Sequence, residues 1–176
     1  MAKDVEFEFD IVVSLPKGAG DEDAIMDALF EAGCDDAVVG LGASGLVGLG
    51  FTRGGEDAEV VISNAVKQVL SALPKGAQLR EVKPDLVSLA DVAARLSVSR
   101  QALQKRDMPP PSLGGLYRAS EMLPALEAQP GKVRDALEAA RGWFASAAAA
   151  QKINARASLG QSWPQKDVFV SRALDV

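Results

Sequence analysis

Residues 5–13, VEFEFDIVV, alternate strictly: Val5, Phe7, Phe9, Ile11 and Val13 share one face, and Glu6, Glu8 and Asp10 the other. A period of two marks a strand with one face on a core and one toward water. It is the clearest strand in the chain, so whatever else the chain does it must build a sheet around this segment. The next stretch, GDEDAIMDALFEAG, changes period. Acidic residues fill its first turn, Ile25, Leu29 and Ala32 recur at helical spacing, and Gly33 stops it, which predicts a helix of about three turns. Cys34 follows that stop as a small buried thiol, with no cationic neighbour evident in the sequence to activate it.

A glycine-rich segment, VVGLGASGLVGLGFTRGG, comes next, and then EDAEVVISNAVKQVLSALP, where Ala58, Ile62, Ala65, Val69 and Leu73 line one helical face before Pro74. AQLREVKPDLV reads as a short final strand. The order strand, helix, strand, strand, helix, strand over residues 1–85 is the βαββαβ arrangement of ferredoxin-like domains, with two helices on one face of a four-stranded antiparallel sheet.

That order decides how the string Gly40-Leu41-Gly42-Ala43-Ser44-Gly45 is read. Its letters fit the G-x-G-x-x-G of dinucleotide-binding folds, whose glycines join a strand to a helix that receives the pyrophosphate. Here Gly45 leads into LVGLGFT, which alternates, and no Gly-Lys-Ser/Thr triplet occurs anywhere. The string is expected to tip a hairpin, with Ala43, Ser44 and Gly45 in the turn. Val39, Leu41, Val47, Leu49 and Phe51 then face the helices, and Gly40, Gly42, Gly48 and Gly50 pave the other face beside Glu6, Glu8 and Asp10. Glycine within strands often marks close approach of another backbone or a ligand. A second subunit, the chain's own C-terminal segment and a small ligand are all candidate occupants, and a solvent-facing sheet whose glycines only permit twist is the alternative. An enzyme or nucleotide-binding protein built on this string is a third functional reading.

Charge separates the chain into unequal parts. The net charge is -5, but residues 1–87 carry 7 Lys/Arg against 16 Asp/Glu, residues 88–118 carry 5 against 2, and the remainder 7 against 6. The chain has one cysteine and no histidine, which removes a disulfide framework, the commonest metal ligand and the commonest general base. No catalytic, cofactor-binding or metal-binding residue is assigned, and the reading is of a non-enzyme. No apolar run approaches the roughly 18 residues of a membrane span, and the opening MAKDVEFEFD is acidic, so a cytoplasmic protein is expected.

The basic island is PDLVSLADVAARLSVSRQALQKRDMPPPSLGGLYRASEMLPAL. Ser88 and Asp91 form a capping-box-like start, and Leu89, Val92, Ala93 and Leu96 face inward from a short helix. After a tight turn Ser99 caps a second helix, RQALQKR, with Ala102 and Leu103 inward, which makes a helix-turn-helix. Arg100, Gln101, Gln104 and Lys105 are left outward, the side-chain types that read guanine and adenine edges or hold phosphates, with Ser99 and Arg106 at the two ends of the helix. A protein-binding helix-turn-helix with an ordinary solvated basic face is the alternative.

This segment resembles the winged helix-turn-helix of MerR-like and excisionase-like DNA-binding proteins over about 40 residues. In MPPPSLGGLYRASEML, Pro109 to Pro111 extend the chain, Gly114 and Gly115 turn the wing, and Ser120 caps a closing helix. The resemblance implies Arg100, Gln101, Gln104 and Lys105 in the major groove of double-stranded DNA, and Tyr117 and Arg118 on the backbone or in the minor groove. It departs from MerR-like regulators where QKRDM replaces the usual aromatic pair, and in lacking a metal-sensing cysteine cluster, so no effector logic carries over. The island's net charge, 5 Lys/Arg against 2 Asp/Glu, is modest for one chain and implies a homodimer on a two-fold site.

Residues 129–176 complete the expected organisation of 1–85, 86–128 and 129–176. GKVRDALEAARGWFASAAAAQKINARA is predicted to be one long helix after Gly131, with Val133, Leu137, Ala140, Phe144 and Ala147 or Ala148 on one side and a slack point at Gly142. That side suits a dimer contact or packing within the chain. The tail SLGQSWPQKDVFVSRALDV carries Trp163, Val168, Phe169 and Val170, apolar residues suited to an extra strand, a neighbour's sheet or a protein partner. The residues thus suit a DNA-binding regulator, with an excisionase-like architectural protein as a variant of it; an antitoxin whose tail occupies a toxin and whose winged domain represses its own operon; or an enzyme or nucleotide-binding protein built on the glycine string.

Overall fold

The alternating segment is the middle of a sheet. In the computed structural model, which describes residues 4–42 and 45–160, strand β1 (Val5–Ser14) buries Phe7, Phe9, Ile11 and Val13 and turns Glu6, Glu8 and Asp10 to the other face. It lies between β3 (Leu46–Gly55) and β4 (Gln78–Lys83), while β2 (Val38–Gly40) pairs with the far side of β3. The sheet order is therefore β2-β3-β1-β4, and every pairing is antiparallel. Val39 pairs with Leu49 and Leu49 with Ile11, so one register carries the apolar face across three strands. Arg80 is skipped between the pairs Val12 with Glu81 and Val13 with Leu79, and forms a bulge.

Two helices close the apolar face. Helix α1 (Glu22–Glu31) is capped by Asp21, whose carboxylate accepts from the amide of Ala24 at 2.8 Å, and α2 (Ala58–Ala72) by Asp57, which accepts from Glu59 and Val60. Such caps satisfy amides that the first turn leaves without partners. Ile25 and Leu29 from α1, and Ile62, Ala65, Val66 and Val69 from α2, join the sheet residues in one buried cluster. Cys34 lies in it. Arg53 stands beside that thiol and favours its ionised form, but burial is the larger effect and holds its pKa above the ordinary value of 9.0. The cationic neighbour absent from the local sequence is thus supplied by β3.

The glycine string joins β2 to β3, strand to strand, with positive φ at Gly45; Ala43 and Ser44 lie outside the described residues. Gly48 pairs with Gly40 and Gly50 with Val38, so these three glycines face away from α1 and α2 as expected, but β2 ends at Gly40 and the expected fourth, Gly42, lies outside the ladder. AQLREVKPDLV, however, is two strands. β4 ends at Lys83, and Leu86–Val87 form β5 of a separate ribbon with β6 (Tyr117–Arg118), because Pro84 has no amide to extend the first ladder.

Beyond β5 the chain is helical: α3 (Leu89–Arg95), α4 (Arg100–Gln104), α5 (Ala119–Glu127), α6 (Lys132–Ala139) and α7 (Arg141–Ser158). The expected single C-terminal helix is broken at Ala140, whose φ of -94° and ψ of 4° leave the helical region. The break lets Val133 and Leu137 of α6, and Phe144 and Ala147 of α7, enter a second buried cluster with Val92, Leu96, Leu103, Met122 and Leu126.

Helix α7 continues into the first cluster through Ala149, Ala150 and Ile153. It also seals the outer edge of β4: the Asn154 side chain accepts from the amide of Val82 at 2.7 Å and donates to its carbonyl at 2.8 Å, as a paired strand would. Gly142, expected to loosen the helix, instead permits contact, since a Cβ there would stand 2.6 Å from the carbonyl oxygen of Glu6. The face that suited either a dimer or the chain itself is packed within the chain. Among the described residues no helix is long and apolar enough to cross a membrane.

Candidate nucleic-acid interface

The geometry of α3 and α4 is set by local chemistry. Ser88 and Asp91 form the reciprocal capping box: the Asp91 amide donates to Ser88 Oγ at 3.1 Å and the Ser88 amide to Asp91 Oδ2 at 2.8 Å. The hydrogen bonds from Ser88 hold the Asp91 carboxyl below the ordinary value of 3.8. At the other end of α3 the Val98 amide reaches back to the carbonyl of Ala93 at 2.9 Å, and Ser97 takes a φ of 52°. This closure usually employs glycine, so a non-glycine residue here fixes the turn at some cost in strain. Ser99 Oγ then accepts from the amide of Ala102 at 3.1 Å and starts α4.

Leu103 is fully buried and orients α4 against α3. Arg100, Gln101, Gln104 and Lys105 are all exposed, as the spacing predicts. Lys105 occupies the C-cap, so α4 is shorter than RQALQKR suggests.

The other candidates are placed differently. Arg106 turns inward, and its Nη1 donates to Gln129 Oε1 at 2.8 Å. Arg118 forms an ion pair with the buried carboxylate of Asp85, which also accepts from Asn154 Nδ2 at 2.9 Å. Tyr117 is half-buried against the second cluster, in register with Val87. Ser99 keeps its hydroxyl on its own helix. Ser120 does not cap α5: the N-cap position belongs to Arg118, without a side-chain hydrogen bond, and Ser120 Oγ donates to Gln151 Oε1 at 3.0 Å. The ribbon pairing of Arg118 sets where that helix begins.

Between α4 and β6 the chain forms the expected small hairpin. Leu113 and Leu116 bridge across Gly114 and Gly115, whose φ angles of 57° and 79° suit a two-residue turn that side-chain-bearing residues rarely adopt. Its tip is apolar, with Leu113 62% exposed, and no Lys or Arg occurs between Arg106 and Arg118. The five cations of the island therefore divide. Arg106 and Arg118 have the internal partners described, Arg95 pairs with Glu8 of β1 and lies 5.4 Å from the Trp143 ring, and Arg100 and Lys105 stand on the exposed helix. Sequence reasoning missed Asp85, Gln129 and Glu8, which have no local signal because each partner is far along the chain.

The glycine-paved face is the second candidate. Gly40, Gly48 and Gly50 floor a groove of about 560 Å³ bordered by Glu8, Asp10, Val38 and Lys83. Asp10 Oδ1 lies 2.9 Å from where a Cβ on Gly50 would be, so that glycine makes room for the carboxylate. Burial raises the Asp10 pKa above 3.8, although Lys83 and Arg95 pull it down. The tail residues Trp163, Val168, Phe169 and Val170, on which the antitoxin reading rests, lie outside the described residues. Compared with known protein families, with characterised proteins and with solved structures, the chain matches none.

Proposed function

We propose that this chain is a sequence-specific, non-enzymatic binder of double-stranded DNA, acting in the cytoplasm as a regulator and as a homodimer. The observation that carries the reading is α4: Arg100, Gln101, Gln104 and Lys105 are exposed together on a short helix anchored by Leu103 and preceded by a capped helix and tight turn. Paired amide and guanidinium groups on one exposed helix suit base edges in the major groove. The capped helices, the ribbon of β5 and β6 and the glycine-turned hairpin support reading residues 86–128 as a winged helix-turn-helix. The order β2-β3-β1-β4 supports a ferredoxin-like unit before it.

With Arg100 on a base edge and Lys105 as the backbone-neutralising residue of each protomer, a dimer makes about two phosphate contacts from this helix, and the logarithm of affinity falls against the logarithm of salt with a slope of about -2. Selection from random duplexes tests the reading. A preferred site should emerge, and Arg100→Ala with Gln101→Ala should weaken it by about 2–5 kcal/mol while leaving nonspecific binding less affected. Absence of any preferred sequence, or unchanged binding by the double variant, refutes it.

A further inference from the structure

Helix α1 presents an exposed face that nothing among the described residues covers. Met26 and Phe30, four residues apart, are 41% and 67% exposed, and Asp23, Asp27 and Glu31 run beside them at the same spacing. Residues with this spacing share one side of a helix, and here the apolar pair lies between the buried row of Ile25 and Leu29 and the acidic row. The charge is one-sided as well. Between Lys17 and Arg53 the sequence contains seven Asp or Glu and no Lys or Arg. The last turn of α1 has Glu31 and no basic residue, where the negative end of the helix dipole favours a cation. Asp36 is neutralised by Arg53, which holds it through two hydrogen bonds of 2.8 Å, and α1 has no such counterion from its own last turn.

We infer that this face docks a cationic amphipathic helix of another protein, whose apolar row covers Met26 and Phe30 and whose lysines or arginines flank it toward Asp23, Asp27 and Glu31. Helix-on-helix recognition reads such anchors at helical spacing, and methionine adapts to the shape placed on it. Charge selects this occupant over a second copy: two α1 faces in contact would oppose like-charged rows. An anionic membrane is disfavoured on the same ground. The inference is independent of DNA binding.

The test uses the full chain and a fluorescently labelled leucine–lysine peptide of about fourteen residues, long enough to form an amphipathic helix on binding, read by anisotropy. Saturable binding is expected at physiological salt. Phe30→Ser should weaken it by about tenfold or more. Asp27→Asn with Glu31→Gln should weaken it several-fold and flatten its salt dependence. A peptide of equal charge with serine for leucine should not bind. All three substituted residues are exposed, and melting followed by circular dichroism verifies that each variant stays folded. Equal binding of the serine peptide, or equal binding by Phe30→Ser, overturns the proposal. So does self-association in sedimentation equilibrium that Phe30→Ser abolishes, since a second copy then occupies the face. Peptide binding that appears only when residues 161–176 are deleted overturns it too, because the chain's own tail is then the occupant.

Discussion

The sheet and the helical region differ in how each closes its core. The sheet gathers β1 to β4, α1 and α2 within residues 5–83, yet its cluster is completed by Ala149, Ala150 and Ile153 from far along the chain. The helical region draws on residues 87–147 and ends in the same helix, through Phe144 and Ala147. One is acidic and the other carries the basic island, so composition divides them sharply where packing joins them. Arg95 on Glu8, and Asn154 on both Val82 and Asp85, tie the seam with polar contacts. Segments that look separable by charge can thus share one structural member.

The comparison breaks most visibly at Phe144, which is 3% exposed in the second cluster. Phe144→Ala should cost about 3–5 kcal/mol in urea unfolding. If α7 couples the regions, probes in β1 and in α3 will lose protection from amide exchange together, whereas loss in α3 alone would show two independent units. Asn154→Ala acts at the seam itself. It leaves the buried Val82 amide without its partner and should cost about 1–3 kcal/mol, seen as faster exchange of that amide and a lower urea midpoint. Ser97→Gly sharpens the contrast from the other direction, since it relieves a left-handed residue in the helical region only; a gain of up to about 1 kcal/mol is expected. Smallest is an effect confined to the sheet region. The hydrogen bonds of Arg53 hold the Asp36 pKa below 3.8, so its stabilising contribution is present above that value and is lost as pH falls through the lower folded one. The Asp36 side chain is 42% exposed, which screens the pair. Asp36→Asn should lower the midpoint slightly at pH 7, and the difference between the two proteins should vanish in acid once pH has fallen below the lowered folded pKa.

What the sequence makes legible follows the range of the interactions. The alternation in β1, the caps at Ser88 and Ser99 and the turn at Gly114 and Gly115 are local, and each element forms where its own residues direct. The exposed set on α4 is legible for the same reason: burial of Leu103 determines what faces out. The sequence alone places Arg106 and Arg118 among the DNA-facing candidates because a cation in a basic island looks alike whether it meets solvent or a partner. Their partners Gln129 and Asp85 lie 23 and 33 residues away. Gly142, two residues on, is the one local hint of the break at Ala140, since alanine is the best helix former; the need to point two apolar rows at one cluster accounts for where the break falls.

The seal that Asn154 places on β4 also has a consequence in time. A chain made from its N-terminus finishes β4 at Lys83, but α7 extends to Ser158, so about 75 residues are added before the sheet's outer backbone is covered. At about 5–20 residues per second that interval is roughly 4–15 s. During it the nascent sheet offers a row of open amides and carbonyls to any other strand nearby. A recombinant fragment cut at residue 85, where charge and composition invite a boundary, would hold that interval open indefinitely and is expected to aggregate in proportion to its concentration.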